Sequence, residues 1–235
     1  FGGNPLFKHQ EKALHLVDIE HQNCVIKTGT GSGKTEAFLL AVLSGVMRMR
    51  EQGIRGTKAI LLYPMNALAN DQLMRLRDII RDSGLGLTFA MYTGDSETVA
   101  QSIGTPVEGN EFTARAKIRE ERPDIILTNY KQLEFMLVRS ADRPLFTPAL
   151  RFLVLDEIHS YRGALATEIA CLIRRLKARC QLKPGDMRCI GTSATVSEGA
   201  GGDEALVAFV RCLFGEEFSV ASILGEETIA RVDKG

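Results

Sequence analysis

The chain has 235 residues, 45% of them hydrophobic and 25% charged, with 29 basic and 29 acidic side chains and a formal net charge of zero. This make-up excludes a disordered chain and supplies enough apolar material for one large domain. It also excludes a protein that coats nucleic acid by bulk charge, while leaving room for a local basic groove.

The five cysteines, Cys24, Cys171, Cys180, Cys189 and Cys212, form no Cys-x-x-Cys pair and read as small buried thiols in a reducing compartment. The four histidines show no metal-ligand spacing. The longest apolar run, Ala37 to Leu43, is too short to span a bilayer, and no signal peptide is visible, so a cytoplasmic location without membrane contact is expected. The first residue is Phe rather than Met, which reads as a piece of a longer protein.

Short apolar runs alternate with helical patterns. In chain order, strands are predicted at Asn23–Lys27, Lys58–Tyr63, Leu87–Tyr92, Asp124–Thr128, Arg151–Leu155 and Met187–Thr192. Most are apolar on successive positions, as in a parallel sheet buried on both faces. Helices are predicted at Gly33–Arg48, apolar nearly all round, and at Ala67–Arg81 and Leu165–Arg179, both amphipathic. Gln101–Arg122 reads as a polar surface excursion, and Ser197–Asp203 as a loop. The alternation predicts an α/β domain, a mainly parallel sheet with helices on both faces, over residues 1–215, followed by a short strand and linker over 216–235.

Two motifs carry chemistry. Thr28-Gly29-Thr30-Gly31-Ser32-Gly33-Lys34-Thr35 follows a predicted strand and opens a predicted helix, the context a phosphate-binding loop requires. Glycines let backbone amides turn toward a phosphate chain, and the helix N-terminus adds unpaired donors. Lys34 supplies a cation for the β- and γ-phosphates, and the Thr35 hydroxyl suits Mg²⁺. Thr28 stands where the usual pattern has Gly. Asp156-Glu157 follows the apolar run Phe152–Leu155 at a strand's carboxyl end, where open α/β sheets bind ligands. Asp156 is suited to hold Mg²⁺, and Glu157 to polarise an attacking water as general base.

With both motifs present, the chain resembles the first RecA-like lobe of a superfamily-two helicase of the Asp-Glu-x-His kind. Phe7-Lys8-His9-Gln10 resembles the adenine-reading Q motif. Tyr63-Pro64-Met65-Asn66-Ala67-Leu68-Ala69-Asn70-Asp71-Gln72 resembles motif Ia, Tyr92-Thr93-Gly94-Asp95 motif Ib, and Leu127-Thr128-Asn129-Tyr130 the next loop that touches the nucleic-acid backbone. Ser193-Ala194-Thr195 resembles motif III, which links nucleotide to strand movement. Asp156–Gly163, followed by a helix ending in Arg174-Arg175, is similar to Lhr-like DNA helicases and to relatives typified by the bacterial mitomycin-repair helicase. Asn66 departs from the basic residue often found in motif Ia.

The resemblance implies ATP and Mg²⁺ as ligands and nucleic acid, single-stranded DNA first, as partner. It implies a second RecA-like lobe elsewhere in the full-length protein and leaves room for partner subunits. DNA repair and anti-phage defence both fit. Phe7 and Gln10 would meet adenine. Pro64, Asn66, Thr93, Gly94, Thr128, Asn129, His159, Arg162, Ser193 and Thr195 would contact the strand or couple it to ATP. The hydroxyls of Thr93, Thr128 and Ser193 are expected to bond phosphate oxygens. The clusters Arg75/Arg77/Arg81, Arg115/Lys117/Arg119 and Arg174/Arg175/Lys177/Arg179 read as solvated helix faces, with a binding patch as the alternative. Arg162 stays open between tying its loop down and touching the strand. An RNA helicase, a P-loop ATPase without strand separation and a non-catalytic binding module are the rival readings. Lacking the arginine finger of a second lobe, this piece alone is expected to hydrolyse ATP barely.

Overall fold

The computed structural model describes residues 7–29, 33–94, 104–194 and 202–225. Its centre is a seven-stranded, wholly parallel sheet of β1 (Cys24–Lys27), β2 (Ala59–Tyr63), β3 (Phe89–Met91), β4 (Ile125–Asn129), β5 (Phe152–Leu155), β6 (Arg188–Ser193) and β7 (Ile223–Gly225). The spatial order is β3-β4-β2-β5-β6-β1-β7. β2 and β5 are buried at every position, as their unbroken apolar runs require when helices cover both faces.

The helices are α1 (Lys8–Leu14), α2 (Lys34–Glu51), α3 (Asn66–Ser83), α4 (Arg115–Glu121), α5 (Tyr130–Val138), α6 (Ala164–Arg179) and α7 (Gly202–Phe214). Each sheet face carries its own apolar core. One contains Phe38, Val42, Leu73, Leu76 and Phe152, the other Leu155, Ile158, Ile173, Leu176 and Phe214. α2 crosses close over β5, for a Cβ on Gly45 would lie 2.3 Å from Phe152 Cζ. The stripes Ala69, Leu73, Leu76, Ile80 on α3 and Ile169, Leu172, Ile173, Leu176 on α6 are buried at helical spacing.

The fold departs from the sequence reading in several places. The stretch after residue 104 lies mostly at the surface but is also tied to the sheet edge. Phe89 N–H donates to Asn110 O at 2.8 Å and Phe112 N–H to Phe89 O at 3.0 Å, so the chain runs beside β3 before forming α4. Arg77 does not belong to a solvated face. It makes a two-point ion pair with Glu111, both contacts at 2.8 Å, with the two side chains 4% and 1% exposed. Helix periodicity could not show this partner, because it comes from another segment.

Beyond residue 215 the expected strand is present and belongs to the central sheet. β7 pairs with β1 through Val25↔Ile223, Ile26↔Leu224 and Lys27↔Gly225. The buried Glu216 accepts from Lys177 Nζ at 2.6 Å and from Gly185 N–H at 2.9 Å, which also removes Lys177 from a solvated stripe. The sheet therefore extends through Gly225. Cys24, Cys180 and Cys189 are buried, and burial pushes their thiols up to about 12, whereas Cys171 and Cys212 are exposed. Among the described residues no helix is long and apolar enough to cross a membrane, and no three His, Cys, Asp or Glu side chains cluster to hold a metal.

Candidate active site

The site lies at the carboxyl ends of β1, β6 and β5, three neighbours in the sheet. The loop after β1 leads into the 18-residue helix α2. Thr30, Gly31 and Ser32 fall outside the described residues. Gly33 has φ +79°, a left-handed conformation that favours glycine, and a Cβ there would push on Gln10 Nε2 at 2.7 Å.

Gln10 closes the loop from α1. Its Oε1 accepts from Phe7 N–H at 3.0 Å and its Nε2 donates to Gly33 O at 3.3 Å. The Gln10 amide thus fastens the phosphate loop's end to the N-terminal segment. Phe7 is 63% exposed and stacks on His9 at 5.7 Å, presenting an open aromatic face beside Gly33.

Lys34 is the first residue of α2. Its Nζ is buried and, among the described residues, has no hydrogen-bond partner, with Glu157 Oε1 3.9 Å away. A buried ammonium left in this state sits at the positive end of a long helix, where an anion supplies what both lack. Thr35 Oγ1 accepts from Gln72 Nε2 at 3.2 Å.

Asp156 and Glu157 extend β5. The Asp156 carboxylate is buried and accepts from the hydroxyl of Thr192 on β6 and, at 3.1 Å, from Glu157 N–H. Burial raises its pKa, the nearby Glu157 charge adds to that, and the Thr192 hydroxyl and Lys34 cation pull the other way. Its charge, after burial, also lifts the Tyr63 and Tyr161 hydroxyls, both buried.

Glu157 holds φ +52°, ψ +51°, a left-handed conformation that is rare outside glycine and clusters at functional sites. Its N–H also donates to Thr192 Oγ1 at 3.0 Å. The strained turn lifts the carboxylate between the Lys34 ammonium and the His159 ring: Oε1 faces Lys34, and Oε2 lies 3.0 Å from His159 Nδ1. His159 Nδ1 is in turn 3.5 Å from Ser193 Oγ at the end of β6. Lys34, Glu157, His159 and Ser193 thus form one line of contacts across three strand ends.

Residues 7–200 match the DEAD/DEAH box helicase family. The chain belongs to that family. Druantia protein DruE of Escherichia coli (strain UMEA 4076-1) is 29% identical over 289 residues, covering 81% of this chain and 16% of DruE. Uncharacterized ATP-dependent helicase YprA of Bacillus subtilis (strain 168) is 31% identical over 198 residues, covering 83% of this chain and 24% of YprA. The crystal structure of the DUF1998 helicase MrfA bound to DNA superposes with a TM-score of 0.70 at 27% identity, over 96% of this chain and 28% of MrfA. The chain therefore spans about a sixth to a quarter of the curated relatives' length. Its sheet and flanking helices are the RecA-like helicase fold.

Within this helicase lobe the strand-side residues divide. Asn66 is exposed, and its Oδ1 accepts from Asn129 Nδ2 at 2.6 Å, while Asn129 Oδ1 caps α5 through Gln132 N–H at 2.8 Å. Pro64 is half-buried and Gly94 exposed beside them at the strand ends. The three hydroxyls expected at the strand are buried, and two have internal partners. Thr128 is fully buried and donates to Tyr92 O at 2.6 Å, Ser193 is 1% exposed and donates to Ala194 O at 3.0 Å, and Thr93 is 2% exposed. Asp95 and Thr195 fall outside the described residues.

Arg162 donates from Nε to His159 O at 2.8 Å, a contact within its own loop. Arg115 lies 5.6 Å over the Tyr92 ring and donates to the carbonyls of Thr93 and Gly94, so it braces that loop from α4. Arg119 is spent on the buried Asp142 at 2.6 Å, and Arg174 on Ala170 O at 2.8 Å and Cys212 O at 3.0 Å.

Two site residues escaped the sequence reading. Thr192 holds both Asp156 and the Glu157 amide, a role set by the Leu155↔Gly191 register of β5 and β6. Gln72 closes the motif Ia match, where it reads as a nucleic-acid-side residue, yet its side chain reaches Thr35.

Proposed function

We propose that this lobe binds and, together with a second lobe, hydrolyses ATP to drive movement along single-stranded DNA. The observation that carries the reading is Lys34: a buried ammonium at the head of α2 with no hydrogen bond among the described residues and only a 3.9 Å ion pair to the strained Glu157, close to a buried Asp156. The triphosphate would lie against the loop from Thr28 to Thr35, with Lys34 on its outer phosphates. Thr35 and Asp156 would hold Mg²⁺, a hard cation matched to their oxygens, which neutralises phosphate charge when bound. Phe7 offers the stacking face for the base, and Gln10 sets the loop that carries it.

Glu157 is the general base. Lys34 and the His159 ring hold its carboxylate from opposite sides, so a proton taken from the attacking water arrives at a fixed oxygen. His159 hands the state of that site to Ser193 and β6. On the strand side, the Gly94 backbone amide and the short polar side chains of Asn66 and Asn129, beside Pro64, would grip a phosphate backbone without reading bases. DNA is favoured because the MrfA structures that this chain resembles at 26–27% identity were solved with DNA, one of them also with AMPPNP.

The test is steady-state ATPase of the full-length protein with oligo-dT and with oligo-U. Stimulation by oligo-dT that exceeds that by oligo-U at least several-fold is expected. Equal or greater stimulation by oligo-U would move the substrate to RNA, and none with either would remove strand-driven turnover. The 235-residue chain alone should turn ATP over barely, because the finger of a second lobe is worth ~10³–10⁵ in rate.

A further inference from the structure

Gln72 occupies a place that the proposed function leaves unused. α3 starts at Asn66, where Asn66 Oδ1 meets Asn129 Nδ2 on the exposed edge assigned to nucleic acid. Gln72 follows on the same helix, roughly 9 Å along the axis at ~1.5 Å per residue. It is 7% exposed and donates from Nε2 to Thr35 Oγ1 at 3.2 Å, which ties α3 to the metal-suited hydroxyl. Its Oε1 is buried and, among the described residues, unsatisfied.

Ala69, Leu73, Leu76 and Ile80 seat the helix in the core, so its first turn and Gln72 move as one body. A 3.2 Å bond tolerates little displacement before it passes hydrogen-bonding range. A hydroxyl has one proton and two lone pairs, so an amide N–H on one lone pair leaves the other for a cation and fixes where the proton points.

We propose that Gln72 is a positioning residue that couples nucleic acid at the head of α3 to the nucleotide site by setting the orientation of the Thr35 hydroxyl. The proposal rests on the ATP-site reading above. The helix carries the mechanical state of the strand edge, and the Gln72–Thr35 bond converts it into a change at the atom suited to the metal. Its buried Oε1 is an acceptor available for a water proton when the site fills.

Coupling is measured by binding, independently of turnover. In the full-length protein, oligo-dT affinity is measured by fluorescence anisotropy with and without Mg²⁺-AMPPNP, and AMPPNP affinity with and without oligo-dT. The two ratios must agree, since coupling between sites is reciprocal. Wild type is expected to show a ratio of ~5–150. Gln72→Ala should bring it to about 2 or below while each separate affinity stays within about three-fold. Gln72→Met keeps the volume without the hydrogen bond, so it should behave the same way if Gln72→Ala fails to fold. A wild-type ratio preserved in Gln72→Met, or a wild type with no coupling, overturns the proposal. Lys34→Ala run in parallel separates the two readings: if AMPPNP affinity survives it, the ATP site itself is misassigned.

Discussion

Replacing Lys34 by methionine should weaken nucleotide binding and at the same time stabilise the empty lobe. Methionine keeps most of the side-chain volume and removes the charge. In the empty lobe Nζ is buried without a hydrogen bond among the described residues, and its attraction to Glu157 acts over 3.9 Å with that carboxylate a quarter exposed. An unsatisfied buried donor costs ~1–3 kcal/mol, and a pair of that kind returns ~0–1 kcal/mol. The balance favours K34M by roughly 1–2 kcal/mol, or about 2–8 °C in Tm for a domain of this size. With nucleotide the sign reverses. A charge-assisted hydrogen bond to phosphate is worth ~1.5–3 kcal/mol, so Kd should rise by about 10- to 150-fold. Thermal melting with and without Mg²⁺-ATP, alongside titration with a fluorescent ATP analogue, reads both effects. An unchanged Kd, or an empty variant that melts several degrees below wild type, would refute the reasoning.

Glu157→Gln in the full-length protein should leave ATP affinity within about three-fold and cut turnover by ~10²–10⁴, because it removes the base but not the phosphate contacts; a malachite-green assay beside the binding titration decides it. Arg77→Met strands a Glu111 carboxylate that is 1% exposed. It should cost ~3–5 kcal/mol in urea unfolding, and the double change R77M/E111M should recover most of that. Burial pushes the Asp124 carboxyl up, but hydrogen bonds from Lys58 at 2.7 Å and from the Thr88 amide at 2.9 Å outweigh it and hold the group below 3.8. A carboxyl depressed on folding stabilises above its unfolded pKa and loses that contribution as pH falls through the folded value, so the urea midpoint should drop below about pH 4. Lys58→Met should lower the midpoint more at pH 7 than at acid pH, where protonation of Asp124 relieves the unpaired charge; a penalty independent of pH would refute the linkage.

Much of the chain's chemistry was legible in sequence because it depends on local order. A phosphate loop is one turn between a strand and a helix, and all its donors lie within eight residues. Asp156 and Glu157 are adjacent and follow an apolar run, which places them at a strand end. Five of the predicted strands are buried apolar runs whose helical connections force parallel pairing, so the layered sheet followed from pattern alone.

The remainder was decided by partners far apart in the chain, which periodicity cannot see. Arg77 carries the spacing of a surface residue, and only the segment returning beside β3 brings Glu111 to it and buries both. Thr128 has a hydroxyl suited to phosphate, yet the packing of β3 on β4 gives it to Tyr92 O. Glu216 opens what reads as a linker, and its buried contact with Lys177, 39 positions away, keeps the chain inside the domain through β7. Thr192 and Gln72 acquire their roles because the sheet register and the seating of α3 aim single polar atoms at Asp156 and Thr35. Sequence determined which groups could bind a nucleotide; tertiary structure determined which polar groups were already satisfied internally and which, like Lys34, have no hydrogen bond among the described residues.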